Sequence, residues 1–120
     1  MEIEVGEFVR TNNKGNIGQV IDIFQGHCVA KYHIEFKGNV KVKRQYLSTN
    51  TIAKHSKNII DLVETGDLIK TNEEKTIIHI YDIDVLEAVK EDIEEGHFKI
   101  ESIVTHEQFA SIEYKVEEDK

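Results

Sequence analysis

Short apolar runs separated by turn residues fill the first half of the chain. In "CVAKYHIEF" at 28–36, the apolar residues Tyr32, Ile34 and Phe36 alternate with polar ones. This period of two is typical of a strand with one buried face. Clusters of asparagine and glycine, such as "NNKGN" at 12–16, are typical of tight turns. The pattern predicts strands at residues 7–11, 17–24, 28–36 and 40–47.

The second of these strands contains Gly18, which indicates a bulge or a sharp bend. Each buried apolar side chain contributes about 2 kcal/mol to folding. We expect the core of the first half at Phe8, Val9, Ile21, Ile23 and Ile34, and the core of the second half at Leu68, Ile69, Ile80, Ile83 and Ile100.

Helical spacing of apolar residues appears at the joint between the halves and again in the second half. Ser56 can cap a short helix that extends to Glu64. Asp84 and Glu87 form a capping pair in "DVLEAVKEDIEEG", which predicts a helix of about ten residues that ends near Gly96. The apolar stripe of this helix consists of Val85, Leu86, Val89 and Ile93.

The last third of the second half predicts one more strand and one more helix. "HFKIESIV" at 97–104 has strand character. Thr105 and Gln108 then form a second capping box, ahead of a short helix that buries Phe109 and Ile112. A strand stub and an acidic tail follow at 113–120.

The sequence contains an internal repeat. Residues 6–23 and 66–83 align at an offset of 60 without gaps, and eleven of these eighteen positions are identical or conservatively replaced. A weaker echo relates 38–42 to 96–100. The repetition predicts a tandem duplication of a strand-turn-strand unit, or two related lobes.

These elements define a mainly β, α+β fold class. We expect two related small β units, SH3-like or curled and barrel-like, which are joined by a short helix, with one acidic helix in the second half. The predicted division is a net basic β unit at 1–55, a helical linker at 56–65 and a strongly acidic α+β unit at 66–120.

Charge is divided unevenly between the halves. Residues 1–60 carry 9 Lys/Arg and 5 Asp/Glu, a net charge of +4, whereas residues 61–120 carry 6 and 18, a net charge of −12. Such a division indicates different faces or different partners, although it also serves solubility. A single cysteine, Cys28, excludes an internal disulfide, and the chain lacks an apolar run of membrane-spanning length and a secretory leader. We therefore expect a cytoplasmic protein without a membrane partner.

Candidate chemistry is sparse. The six histidines form no HExxH motif, and no CxxC or Gly-rich phosphate loop exists. Cys28 adjoins His27, but neighbouring strand residues point to opposite faces and cannot act as a nucleophile and its base. The acidic run after Asp84 lacks the spacing of a calcium loop. The sequence predicts a protein that is not an enzyme and has no cofactor or metal.

Two charged surfaces remain as binding candidates. The acidic one can be a solvated helix face, a site for a protein partner or a mimic of a phosphate backbone. The basic one can be the wet face of a strand or a surface for nucleic acid or an acidic protein. On alternating strands, Lys31, Lys41 and Lys43 are expected to share one exposed face. The acidic residues are Glu87, Glu91, Asp92, Glu94 and Glu95, and the basic residues are Lys31, Lys41, Lys43 and Arg44.

Three segments carry a resemblance to a known group. "GEFVRTNNKGNIGQVIDI", "AKHSKNIIDLVETGD" and "IESIVTHEQFASIEYKV" resemble small proteins of phages and prophages of low-GC Gram-positive bacteria. The matching elements are Gly6 to Thr11, Lys54 to Asp67 and Ile103 to Phe109. The resemblance implies an accessory phage protein of two small β units and brings no catalytic residues with it. The segment at 84–99 departs from the group because it is more helical and acidic.

Together these features favour a non-catalytic phage protein that binds and inhibits a bacterial host protein, such as a CRISPR-type defence effector. The alternative is an accessory module that binds nucleic acid through the basic strands at 31–44. A pocket for a nucleotide signal is a third class, which would require a cleft that the sequence does not reveal.

Overall fold

Five antiparallel strands form one sheet in the first half. The computed structural model describes residues 2–12, 14–26, 29–38, 41–73 and 76–112. The strands are β1 Phe8–Thr11, β2 Ile17–Gln25, β3 Ala30–Lys37, β4 Val42–Ser48 and β5 Ile52–Ser56, in the order β4-β3-β2-β1-β5. The four predicted strands are present, and β5 is an addition. A 3-10 turn at Thr49–Thr51 joins β4 to β5.

One face of this sheet carries the first core. As alternation requires, Val9, Val20, Tyr32 and Ile34 all point to that face and are at most 5% exposed. Ile52 of β5 joins the cluster, and Ile23 and Phe36 pack at its rim. The predicted core residues Val9 and Ile34 are therefore confirmed, and Phe8 is half-buried on the opposite face.

The bulge in β2 lies three residues beyond the predicted position. The register with β3 shifts between Val20 and Asp22, so Ile21 leaves the core and is 37% exposed, contrary to prediction. Gly18 has a different role, because a Cβ atom there would stand 2.6 Å from the Cγ2 atom of Ile34. The glycine allows β2 and β3 to pack closely.

A smaller sheet and two helices make up the second half. The elements are β6 Leu68–Thr71, β7 Ile77–His79, α1 Ile83–Glu94, β8 Ile100–Val104 and α2 His106–Ile112. The strands take the order β7-β6-β8. The stripe of α1 packs with Ile69 and Ile80 on one face of this sheet, and Val89 is its fully buried member. Ile100 packs at the rim of the same cluster.

Several predicted details of the second half are wrong. The N-cap of α1 is Asp82, whose Oδ1 atom accepts a hydrogen bond from the backbone N–H of Val85 at 2.9 Å. Because the helix starts two residues early, Ile83 lies in its first turn and is 56% exposed. Phe109 of α2 is 47% exposed instead of buried. Only a 3-10 turn, Ile59–Leu62, stands where a helix from Ser56 was expected.

Matching backbone hydrogen bonds occur 60 residues apart. Gly6 and Gly66 have φ angles of 96° and 97°. Their N–H groups donate to the carbonyls of Val20 and Ile80, at 2.8 and 2.5 Å. At the far end of each hairpin, the N–H of Thr11 donates to Asn16 and that of Thr71 donates to Thr76. In both sheets the first strand also pairs with the last one through a register shift at the same position.

The fold class is mainly β with few helices, as predicted, but both sheets are open. Over the described ranges β4 and β5 are the two edges of the first sheet and do not pair with each other, so no closed barrel forms. None of the described helices has the length and apolar character needed to cross a bilayer. His27, Cys28 and the predicted stub and tail at 113–120 lie outside the described residues, as does the side chain of Ile112.

Candidate functional site

A buried arginine connects the two halves. Arg10 alternates with Val9 on β1, so its side chain leaves the first core and enters the second half. Its Nη1 atom donates to the Oδ2 atom of Asp67 at 2.6 Å and to the carbonyl of Leu62 at 2.9 Å. Its Nη2 atom donates to the Oδ1 atom of Asp67 at 3.1 Å. Both residues have 0% exposure, so the contact is a bidentate ion pair shielded from solvent.

The turn before β6 and the start of α2 hold the Asp67 carboxylate. The backbone N–H groups of Glu64 and His106 each donate to it at 2.8 Å. Gly66 makes room for this arrangement, since a Cβ atom there would stand 3.0 Å from the Cβ atom of His106. With two backbone donors and one guanidinium, the carboxylate has partners on both oxygens.

A second layer of charged groups covers this ion pair. Glu107 of α2 accepts from the Nη2 atom of Arg10 at 2.5 Å, and Glu64 lies 3.6 Å from the same atom. Lys54 of β5 contacts Glu64 at 3.0 Å, and the Nε2 atom of His106 lies 3.1 Å from that carboxylate. We name Arg10, Lys54, Glu64, Asp67, His106 and Glu107 the Arg10 cluster.

The first turn of α2 also contacts the first hairpin. The Nε2 atom of Gln108 donates to the Oδ1 atom of Asn16 at 3.1 Å. Gly15 lies directly under Glu107, because a Cβ atom at Gly15 would stand 2.5 Å from the Oε1 atom of Glu107. The predicted capping box is present: Thr105 Oγ1 accepts from the N–H of Gln108, and Gln108 Oε1 accepts from the N–H of Thr105. This turn therefore fastens the second half to the first.

The charges of the cluster shift the pKa of two members. Burial disfavours the ionised form of Glu64, but hydrogen bonds from His106 and Lys54 and the charge of Arg10 outweigh it and lower the pKa of Glu64. Burial also disfavours the charge of Arg10. Its hydrogen bonds and ion pair with Asp67, together with Glu107 and Glu64, raise the pKa of the guanidinium above its usual value. Both shifts favour the ionised cluster.

Possible metal ligands occur in this cluster. Donor atoms of Glu64, His106 and Glu107 lie within 4.8 Å of one another. The Arg10 guanidinium already contacts both carboxylates and supplies the positive charge that a metal would bring. The arrangement is therefore that of an ion-pair network between the halves. A second set of donors, Asp92, Glu95 and His97, lies near the end of α1 and is mostly exposed.

The predicted acidic residues occupy two sides of α1. Glu87, Glu91 and Glu94 follow one another at helical spacing on the side opposite Val89, and all three are exposed. Within the described part of the chain no ion pair involves them, whereas Lys90 contacts Asp61 at 3.3 Å. Asp92 is half-buried on the flank, and Glu95 contacts His97 at 2.9 Å. We call Glu87, Glu91 and Glu94 the acidic row.

The predicted basic residues do not share one face. Residues directly opposite one another in a sheet point to the same side. Lys31 pairs with Ser48 on the side away from the core, but Lys43 pairs with Phe36 and so lies on the core side. Arg44 pairs with Glu35 and contacts its carboxylate at 3.1 Å, and Lys41 is exposed just before β4. The register of β4 with β3 separates residues that sequence alternation had grouped.

On the side away from the core, the first sheet carries two exposed rings and one half-buried ring, which the sequence did not single out as a group. His33 and Tyr46 are directly opposite each other, with ring centroids 4.3 Å apart and an interplanar angle of 9°. Phe24 pairs with Lys31 in the next row and is 62% exposed. Tyr46 is 59% exposed. We call Phe24, Lys31, His33 and Tyr46 the ring face.

Comparison with known proteins adds no assignment: the chain gives no significant match to a family model, to a curated protein or to a solved structure.

Proposed function

We propose that this chain is a phage-encoded, non-catalytic binding protein that engages a bacterial protein in the host cytoplasm and inhibits it. The observation that carries the proposal is the acidic row. Its three carboxylates have no cationic partner among the described residues, and the opposite side of α1 is anchored in the second core. A rigid row of uncompensated negative charge complements a basic groove, such as the one in which a CRISPR-type effector binds nucleic acid.

The architecture that we propose for this binding protein is a duplicated unit. The hydrogen bonds that recur at an offset of 60 support a common origin of the two hairpins. An SH3-like identity of the first sheet is supported by its strand order and by the 3-10 turn between β4 and β5. In the second half, α1 lies between β7 and β8, whereas β3 and β4 lie between β2 and β5 in the first half. The acidic row therefore belongs to the segment in which the halves differ.

Capture of a partner from host lysate tests the function. The wild-type chain is immobilised beside the double variant E87K/E91K and the matched double variant E2K/E73K, which makes the same charge change at exposed positions outside α1. We expect a stoichiometric host protein on the wild-type and E2K/E73K chains and its loss from E87K/E91K. The purified partner should then be inhibited by the wild-type and E2K/E73K chains, which capture it, and not by E87K/E91K.

Three outcomes would contradict the proposal. The first is that no stoichiometric protein is captured. The second is equal capture by E87K/E91K and the wild type, which would remove the acidic row from the interface. The third is capture without any effect on the partner's activity, which would exclude inhibition.

A further inference from the structure

We propose that the ring face binds single-stranded nucleic acid, and that it does so independently of the acidic row. The first argument is the placement of the rings. Aromatic side chains in a soluble protein are mostly buried, and a base is the ligand whose flat surface an exposed ring matches. Tyr46 and Phe24 are 59% and 62% exposed on one open sheet, and neither belongs to the first core or its rim.

The spacing of the rings suits successive bases. Phe24 is directly opposite Lys31, so His33 is its diagonal cross-strand neighbour on β3. Diagonal neighbours are separated by about 7–8 Å. Tyr46 extends the line because its ring stacks on His33. Because His33 and Tyr46 cover each other's facing surfaces, Phe24 and this stacked pair form two stacking positions on a diagonal across β2, β3 and β4, where a strand can place successive bases.

Charge around this path complements a phosphate backbone. On the described strands, the same side of the sheet carries Lys31, Lys37 and Arg44 together with Asp22 and Glu35, so three positive charges stand against two negative ones. Lys41 is exposed just before β4, and Lys43 lies on the other side of that edge strand. Lys37 and Arg44 both contact Glu35, whereas no ion pair within the described ranges involves Lys31. Lys31, which is directly opposite Phe24 on β2 and Ser48 on β4, can therefore bind a phosphate without breaking an ion pair with a described residue.

The open geometry selects unpaired strands. Paired bases in a duplex hide the surfaces on which rings stack, whereas the bases of a single strand present them. A single strand can pass over the face and leave across the β4 edge, which no other described strand covers. This chemistry is common to single-stranded DNA and RNA, and the experiment distinguishes them.

Fluorescence anisotropy with labelled oligonucleotides tests the inference. The probes are one twelve-nucleotide sequence as DNA, the same sequence as RNA, its duplex, and a labelled polyglutamate of equal charge. The full chain is titrated at several salt concentrations. We expect binding of at least one single strand, at least tenfold weaker binding of the duplex and polyglutamate, and a slope of log K against log salt near −0.7 for each phosphate contacted.

Substitutions then locate the site. We expect Y46A and F24A each to weaken binding about 5- to 150-fold, the loss that a stacked base typically shows. Y46F keeps the ring and should retain the affinity. Y81A is the matched control, since Tyr81 is 68% exposed in the second half, outside the ring face. The E87K/E91K variant should bind oligonucleotide at least as well as the wild type.

Each contrary result overturns the inference. These results are no single-strand binding at low salt, equal binding of duplex and single strand, and wild-type affinity in both Y46A and F24A with an unchanged fold by circular dichroism. Capture of a host protein that is lost in Y46A, without oligonucleotide binding, would assign the ring face to a protein partner. None of these results bears on the acidic row, so the failure of one proposal is distinguishable from that of the other.

Discussion

The guanidinium of Arg10 on β1 holds the carboxylate of Asp67, the residue just before β6, through two hydrogen bonds of 2.6 and 3.1 Å. The two residues are 57 positions apart, and each is fully buried. A buried ion pair offsets the cost of desolvating its charges only when further hydrogen bonds complete it. Here Leu62, Glu64 and His106 supply such bonds, and among the described residues the Nε atom of Arg10 is left without a partner. The joint between the halves is therefore a specific polar contact.

Removing either partner of this pair should destabilise the protein strongly. R10M leaves a buried carboxylate without its cation, and D67A leaves a buried guanidinium without its main acceptor. We expect each to lower the free energy of unfolding by about 3–5 kcal/mol, measured by urea denaturation. The double variant R10M/D67A should lose clearly less than the sum, because neither charge is then left unpaired. Additive losses would show that the two side chains act independently.

Stability should fall at mildly acidic pH. The pKa of Glu64 is lowered in the folded protein, against the effect of burial, by His106, Lys54 and Arg10. Burial likewise opposes ionisation of Glu7, but its hydrogen bonds with His55 and the backbone of Glu4, together with the charges of His55 and Lys57, outweigh this and lower the pKa of Glu7. A carboxyl group whose pKa is lower in the folded state stabilises the fold above its unfolded pKa. That contribution is lost as pH falls through the folded pKa.

We therefore expect the free energy of unfolding to be level near pH 7 and to decline below about pH 5, in urea titrations at a series of pH values. E64Q and E7Q should each make the decline shallower, because each removes one group that takes up a proton on unfolding. A decline of the same steepness in the double variant E7Q/E64Q would mean that other groups control the acid sensitivity.

The N-terminal turn of α2 offers a separable test of the joint. Thr105 is fully buried, and its hydroxyl accepts from the N–H of Gln108. T105A should lower the free energy of unfolding by about 1 kcal/mol in urea denaturation, as the loss of a helix cap generally does. T105S keeps the hydroxyl oxygen and should lower it less. In T105A, backbone amides in α2 and around Asp67, which the same turn contacts, should exchange hydrogen faster than they do in the wild type. Faster exchange confined to the first sheet would contradict the role assigned to this turn.

Elements whose pattern is local could be predicted from the sequence, and elements that depend on distant partners could not. The alternation in β3 and the apolar stripe of α1 each indicate which side of the element is buried, so the sequence predicts both elements. The start of α1 was misplaced because Asp82 and Asp84 both suit a cap and only the backbone decides between them. The strand β5 was missed because Ile52 is its only buried residue.

The Arg10 cluster was missed for a related reason. An arginine that alternates with Val9 suggests a solvated strand face, and its partners Asp67 and Glu107 lie 57 and 97 residues away. A usable signal was present in Asp67 directly after Gly66, where a turn with positive φ fixes a carboxylate next to a strand. The ring face was missed because its grouping depends on the register of β4 with β3, which alternation alone does not determine.

Alanine at the two glycines that begin the matching hairpins gives the last prediction. Gly6 and Gly66 share nearly the same left-handed φ, so G6A and G66A should each incur a backbone cost of about 1–2 kcal/mol. No described residue lies within 4 Å of a Cβ atom at Gly6, whereas a Cβ atom at Gly66 meets the Cβ atom of His106 at 3.0 Å. We therefore expect G66A to be the more destabilising variant in urea denaturation, and the difference between G66A and G6A to shrink when both are made in an H106G background, which lacks the Cβ atom at position 106. If G6A were the more destabilising variant, steric contact with α2 would not be what distinguishes the two turns.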